Sequence, residues 1–196
     1  SGKSISSNGF AGLLDVEDGL AAWLSTFTTI KAVSLAEPGA PFVVGDADSL
    51  GTASGVFANE DYIYSSGSEG FAIFDADSPM GEPLSTYDFG WSNTIIVEGG
   101  IAYLAASDDL LILDVHDPAT PVELSRTQLV GTAPINQLLV ENLLYLPATI
   151  GGGLYIIDVS QPSTPERLSL IPFESNNVGL KVRNNYAYLG YSAGFT

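Results

Sequence analysis

One peptide pattern recurs four times at nearly even spacing, and it restricts the fold more than any other feature of the chain. It reads Val33-Ser34-Leu35-Ala36-Glu37-Pro38-Gly39-Ala40-Pro41, then Phe74-Asp75-Ala76-Asp77-Ser78-Pro79 with Pro83 beyond. It returns as Leu113-Asp114-Val115-His116-Asp117-Pro118-Ala119-Thr120-Pro121 and as Ile157-Asp158-Val159-Ser160-Gln161-Pro162-Ser163-Thr164-Pro165. Pro38, Pro79, Pro118 and Pro162 stand 41, 39 and 44 residues apart. A period near 40 built from short strand-type segments points to an all-β fold of stacked small sheets, a β-propeller.

A second column runs in step with the first. Trp23, Tyr64 and Tyr103 each precede the Ser/Asp position of their copy by 11 residues, and Tyr145 precedes Asp158 by 13, the excess falling at Gly151-Gly152-Gly153. Tyr188 begins a fifth series. These aromatics could form a ligand-stacking ring, but packing between neighbouring sheets accounts for them. Burying each one contributes roughly 1.5–3 kcal/mol.

Each unit parses into four short strands divided by turn residues, as a propeller blade does. Residues 94–130 show it best: Thr94 to Val97, a turn at Glu98-Gly99-Gly100, Ile101 to Ala106, a turn at Asp108-Asp109, Leu110 to Leu113, then the Asp–Pro motif and an outer strand from Val122 to Arg126. The middle strands are continuous apolar runs, as expected of strands covered on both faces. The parse sets blades at about 9–45, 53–90, 94–130 and 133–173 with a partial blade at 178–196, all in one domain of residues 1–196. Gly19 to Thr28 could open a helix, but the repeat register makes it a strand.

The Asp position has a physical role of its own. A carboxylate at a strand end accepts a hydrogen bond from the backbone N–H two residues on, and the following proline cannot extend the strand. Asp75, Asp114 and Asp158 are therefore turn-makers rather than catalytic groups. Ser34 does the same more weakly. His116 is the single histidine. It lies within this turn motif, where other copies hold Ala36, Asp77 or Ser160, which places it facing solvent.

These residues resemble the LVIVD-repeat family. Leu111-Ile112-Leu113-Asp114-Val115-His116-Asp117-Pro118 and Tyr155-Ile156-Ile157-Asp158-Val159-Ser160-Gln161-Pro162 fit its segment well. Phe71-Ala72-Ile73-Phe74-Asp75 fits in part, and Lys31-Ala32-Val33-Ser34 departs from it. The resemblance covers about residues 10–196. It implies a β-propeller of a surface or secreted protein of bacteria or archaea, and it carries no catalytic motif.

Four units and two further strands make about four and a half blades, whereas closed propellers have 4–8 complete ones. In order of preference, the chain belongs to a longer polypeptide, a second chain pairs with the open edge by strand addition, or the chain closes on itself. Residues 1–8 are too few to supply two strands and a turn.

Composition removes several function classes. Against 23 acidic residues stand 6 Lys and Arg, a net charge of −17. Nucleic acid needs cationic neutralisation of its phosphates, so it is excluded as a partner, and anionic lipid is disfavoured. The charge serves solubility or suits cation-rich surroundings. Without cysteine there are no disulfides, thiolate zinc sites or cysteine nucleophiles. No apolar run is long enough to insert as a helix. Ser1-Gly2-Lys3-Ser4-Ile5-Ser6-Ser7 has no signal-peptide core, so export would require prior removal of a leader.

Nucleophile-elbow, P-loop, dinucleotide and zinc patterns are missing. Calcium is the one cofactor to weigh, because it takes six to eight oxygen ligands. On loops of one blade face, Asp46, Asp48, Asp108 and Asp109 form the densest oxygen clusters, with Glu69, Asp88 and Glu174 nearby in the same set. The expectation is a non-enzymatic extracellular or cell-surface propeller that binds other protein chains or copies of itself, in adhesion or assembly, with strand completion between subunits. The alternatives are a calcium-dependent propeller hydrolase and a glycan-binding module using Trp91 and Tyr87.

Overall fold

The computed structural model describes residues 14–17, 20–26, 28–37, 39–59, 61–76, 78, 81–106, 108–129, 136–148, 153–172 and 177–191. Pro38, Asp77, Pro79, Gly151-Gly152 and Glu174 lie outside these, as does the side chain of Trp23.

The described strands form antiparallel meanders. The first sheet contains β1 (Leu14–Glu17), β2 (Leu20–Thr26), β3 (Thr29–Ser34) and β4 (Phe42–Asp48), ordered as they follow in the chain. The second contains β5 (Ala53–Ala58), β6 (Tyr62–Gly67), β7 (Gly70–Asp75) and β8 (Ser85–Tyr87). The third holds β9 (Ser92–Glu98), β10 (Ile101–Ala106), β11 (Asp109–Asp114) and β12 (Val122–Gln128). The fourth holds β13 (Leu138–Val140), β14 (Leu143–Pro147), β15 (Gly153–Asp158) and β16 (Glu166–Pro172). Finally β17 (Asn177–Arg183) and β18 (Tyr186–Tyr191) make a two-stranded sheet. The strand reading of residues 20–26 holds.

The chain divides into two compact units. One runs to Ile95 and includes Asp117–Pro121, and the other comprises Ile96–His116 and the residues from Val122 onward. Each has its own core. In the first, Ile30, Ala32, Val56, Ile63, Ala72 and Phe74 are buried together. In the second, Tyr103, Leu110, Ile112, Leu144, Leu146 and Tyr155 are buried together. The apolar runs of the middle strands are thus covered on both faces, and each fully buried Leu or Ile contributes roughly 1.5–3 kcal/mol.

Turn chemistry sets the hairpins. Gly99 and Gly100 join β9 to β10 with φ of 54° and 75°, and Asn184 and Asn185 join β17 to β18 with φ of 50° and 65°. Two successive left-handed residues match the twist of the flanking strands, and Gly and Asn reach that region most readily.

A β-bulge repeats at one place in the sheets. The register between third and outer strands shifts at Ala32/Val33, Ile112/Leu113 and Ile156/Ile157. Val44, Leu124 and Leu168 are the extra residues of the outer strands. A bulge bends its strand and re-aims the residues beside it.

Candidate functional site

The Asp–Pro turns behave as their chemistry requires. Asp114 Oδ1 accepts from the backbone N–H of His116 at 3.0 Å, and Asp158 Oδ1 from that of Ser160 at 2.8 Å. Asp75 Oδ1 accepts one residue further on, from Ser78 at 3.3 Å, and Ser34 Oγ makes the weakest bond, to Ala36 at 3.5 Å. The backbone N–H of His116 holds the Asp114 carboxyl below the ordinary carboxylate range, helped by the imidazole; the N–H of Ser160 does the same for Asp158. The next residue of each copy, Ala76, Val115 or Val159, is buried, and its N–H donates back to Asp61, Gly100 or Asn142. The motif is a structural clip. His116 is exposed at its rim, with Nδ1 at 2.8 Å from Asp114 Oδ1.

Asp46 and Asp48 occupy a different setting from the one their spacing suggested, whereas Asp108 keeps its turn. Asp46 and Asp48 stand in β4 rather than in a loop, alternate positions of one exposed strand face. With Glu82 they line a groove of about 480 Å³ that also involves Thr29, Ala47, Gly81 and Pro83. Lys31 Nζ sits 3.4 Å from Asp46 Oδ2. Asp108 lies in the turn before β11, and Asp109 is the first residue of that strand, 3.9 Å from Arg126. One carboxylate of each pair thus has a cation beside it. Among the described residues, no group of three His, Cys, Asp or Glu is disposed to hold a metal ion. Glu69 lies in the β6–β7 turn, and Asp88 just after β8.

Of the glycan candidates, Trp91 is 43% exposed and Tyr87 pairs with Phe89, ring centroids 6.3 Å apart.

The aromatic column separates into two environments. Tyr64 and Tyr103 are buried, at 2% and 5% exposure. Burial pushes both phenols above their ordinary pKa. Tyr64 stacks on Phe71 with ring centroids 6.1 Å apart. Tyr145 is half-buried. Tyr188 holds the same place, two residues into its strand, yet is 60% exposed, and Tyr186 is 67% exposed. Both belong to β18, which pairs with β17 alone among the described strands. Trp23 is not a true member. Leu20 pairs with Ser34 as Tyr62 pairs with Asp75, so Trp23 stands three residues into its strand where the tyrosines stand two.

A recurring serine was missed in the sequence reading. Ser85, Ser125 and Ser169 each pair with the residue two before the Asp position, Ile73, Ile112 and Ile156. Ser85 Oγ donates to the carbonyl of Pro118, and Ser125 Oγ to that of Pro162 at 2.7 Å. Their spacing was legible, but serine carries too little hydrophobic or turn signal to stand out.

The LVIVD repeat model matches residues 90–128 and 140–169, which contain β9 to β12 and most of β13 to β16. These segments are LVIVD repeats. Solved structures place the repeats in the β-propeller fold. The chain is similar to the computationally designed Ika8 protein, with 15% identity and a TM-score of 0.74 over 91% of this chain and 54% of that one. It is similar to a functionally unknown protein from Desulfotomaculum acetoxidans, with 13% identity and a TM-score of 0.73 over 87% and 59% of the two chains. It also resembles the periplasmic gluconolactonase PpgL of Pseudomonas aeruginosa, with 10% identity and a TM-score of 0.77 over 96% and 66%. The chain spans between about half and two thirds of the length of these structures. At such identities the likeness concerns the fold alone. A comparison with curated proteins returned no match.

Proposed function

We propose that this chain is a non-enzymatic binding and assembly module of a prokaryotic cell surface or extracellular space, joined to another copy by strand addition at the edge of β18. One observation carries the reading. Tyr188 is exposed in a two-stranded sheet, while Tyr64 and Tyr103 are buried at the same place in four-stranded ones. An unpaired strand presents a row of N–H and C=O groups that template another strand, and the exposed aromatics add apolar area for it to cover.

The charge supports the same reading. At −17, copies repel one another at long range, so association must come from directional backbone pairing at short range. The acidic surface suits a cation-rich medium outside the cell, where salt screens that repulsion.

The test is native mass spectrometry across a concentration series, on the wild type and on Tyr188→Lys. The expected result is species heavier than the monomer for the wild type and a folded monomer for the variant. A wild type that stays monomeric at every concentration would overturn the proposal.

A further inference from the structure

We infer that the segment received beside β18 is a third strand ending in an Asp–Pro turn, and that Ser169 is the side chain that seats this turn. The inference rests on the strand-addition reading and names the chemistry of the incoming segment.

The argument starts from the two serine bonds. Ser85 Oγ donates to the carbonyl of Pro118, and Ser125 Oγ to that of Pro162. In each case an outer-strand hydroxyl holds the first proline of the motif one repeat further along the chain. The donors share a register, opposite the residue two before the Asp position. Ser125 directly follows the bulged Leu124, and the bulge turns its hydroxyl out of the ladder.

Ser169 reproduces this arrangement. It pairs with Ile156, two before Asp158, and follows the bulged Leu168. It is half-buried. Among the described residues no proline carbonyl takes its hydroxyl. The sheet after it is β17–β18, whose first strand contacts β13, the first strand of the sheet to which Ser169 belongs. That sheet has no third strand and no Asp–Pro turn among the described residues. The donor is in place and its acceptor belongs to whatever completes the sheet. In the first sheet the position is Gly45, opposite Ala32, which has no hydroxyl to offer.

On the strand-addition reading, the occupant is an extended segment of a second copy, apolar through the strand and closed by Asp, three further residues and Pro. Residues 109–121 of this chain have that chemistry. A slot built to donate a hydrogen bond disfavours a segment that leaves the donor unpaired.

The experiment titrates a fluorescent peptide with the sequence Asp109–Pro121 against the full chain, followed by anisotropy. A second peptide carries alanine at positions 114 and 118. The chain is used as wild type and as Ser169→Ala, with thermal melting to show that the variant folds as the wild type does. Binding of the native peptide, weakened about threefold to tenfold by Ser169→Ala and by the loss of the turn residues, is the expected result. If both peptides bind equally to both chains, the inference about Ser169 is overturned and strand addition stands. If neither peptide binds, strand addition itself falls, and this inference with it.

Discussion

One oxygen of Asp114 is shared by two nitrogens of His116: Oδ1 lies 3.0 Å from the backbone nitrogen and 2.8 Å from Nδ1 of the ring. The carboxylate thereby ends β11 and starts the turn to β12, whose Pro118 carbonyl accepts from Ser85 Oγ of the second sheet. Asp114→Ala removes the acceptor and leaves the His116 N–H to water. Because the group is largely solvated, the loss is at most about 1 kcal/mol. Urea denaturation of wild type and variant measures it.

Acid weakens the same turns. Asp114 and Asp158 have folded pKa values below their unfolded ones. Their contribution is therefore complete above the ordinary carboxylate range and disappears as pH falls through the lowered folded values. The stability gap between wild type and the Asp114→Asn, Asp158→Asn double variant should be largest near neutrality and close below about pH 3. A gap independent of pH would contradict this account.

Core truncation separates packing from turn chemistry. Ile112 is fully buried between its neighbours in the second unit. Ile112→Ala should cost about 2–5 kcal/mol, several times the effect at Asp114. Denaturant midpoints at a common slope decide it.

Gly67 marks a close approach of backbones. A Cβ there would lie 2.2 Å from the Thr52 carbonyl oxygen and 2.7 Å from Ala53 Cα. Backbone cannot yield as a side chain can, so Gly67→Ala should disrupt the β5–β6 pairing and lower the melting temperature sharply. An unchanged melting temperature would show that the strands part there without penalty.

Calcium gives a fifth contrast. Lys31 lies beside Asp46, and Arg126 beside Asp109. A cation would have to displace these partners and find four or more further oxygens. Melting in millimolar calcium and in chelator should coincide. A rise in calcium that vanishes in Asp46→Asn, Asp48→Asn would restore the groove as a cation site.

The strand pattern, the Asx bonds of Asp114 and Asp158 and the burial of Tyr64 and Tyr103 could all be read from spacing, because each depends on residues close in the chain or on a period repeated within it. Three things could not. Trp23 shares the 11-residue spacing but stands a register step away, since its hairpin is one residue longer. Asp46 and Asp48 look like loop residues, yet pairing with β3 carries β4 through them to Asp48. Ser169 acquires meaning only when the bulge before it and the proline carbonyls held by Ser85 and Ser125 are seen together.

The sequence by itself determined the sheet repeat, since strand alternation and turn residues act over a few positions and recur with the period. Only the tertiary structure decided which members of each column are covered. Exposure at Tyr188 and the vacant reach of Ser169 depend on which strand lies alongside, and strand neighbours are chosen by contacts far apart in the chain.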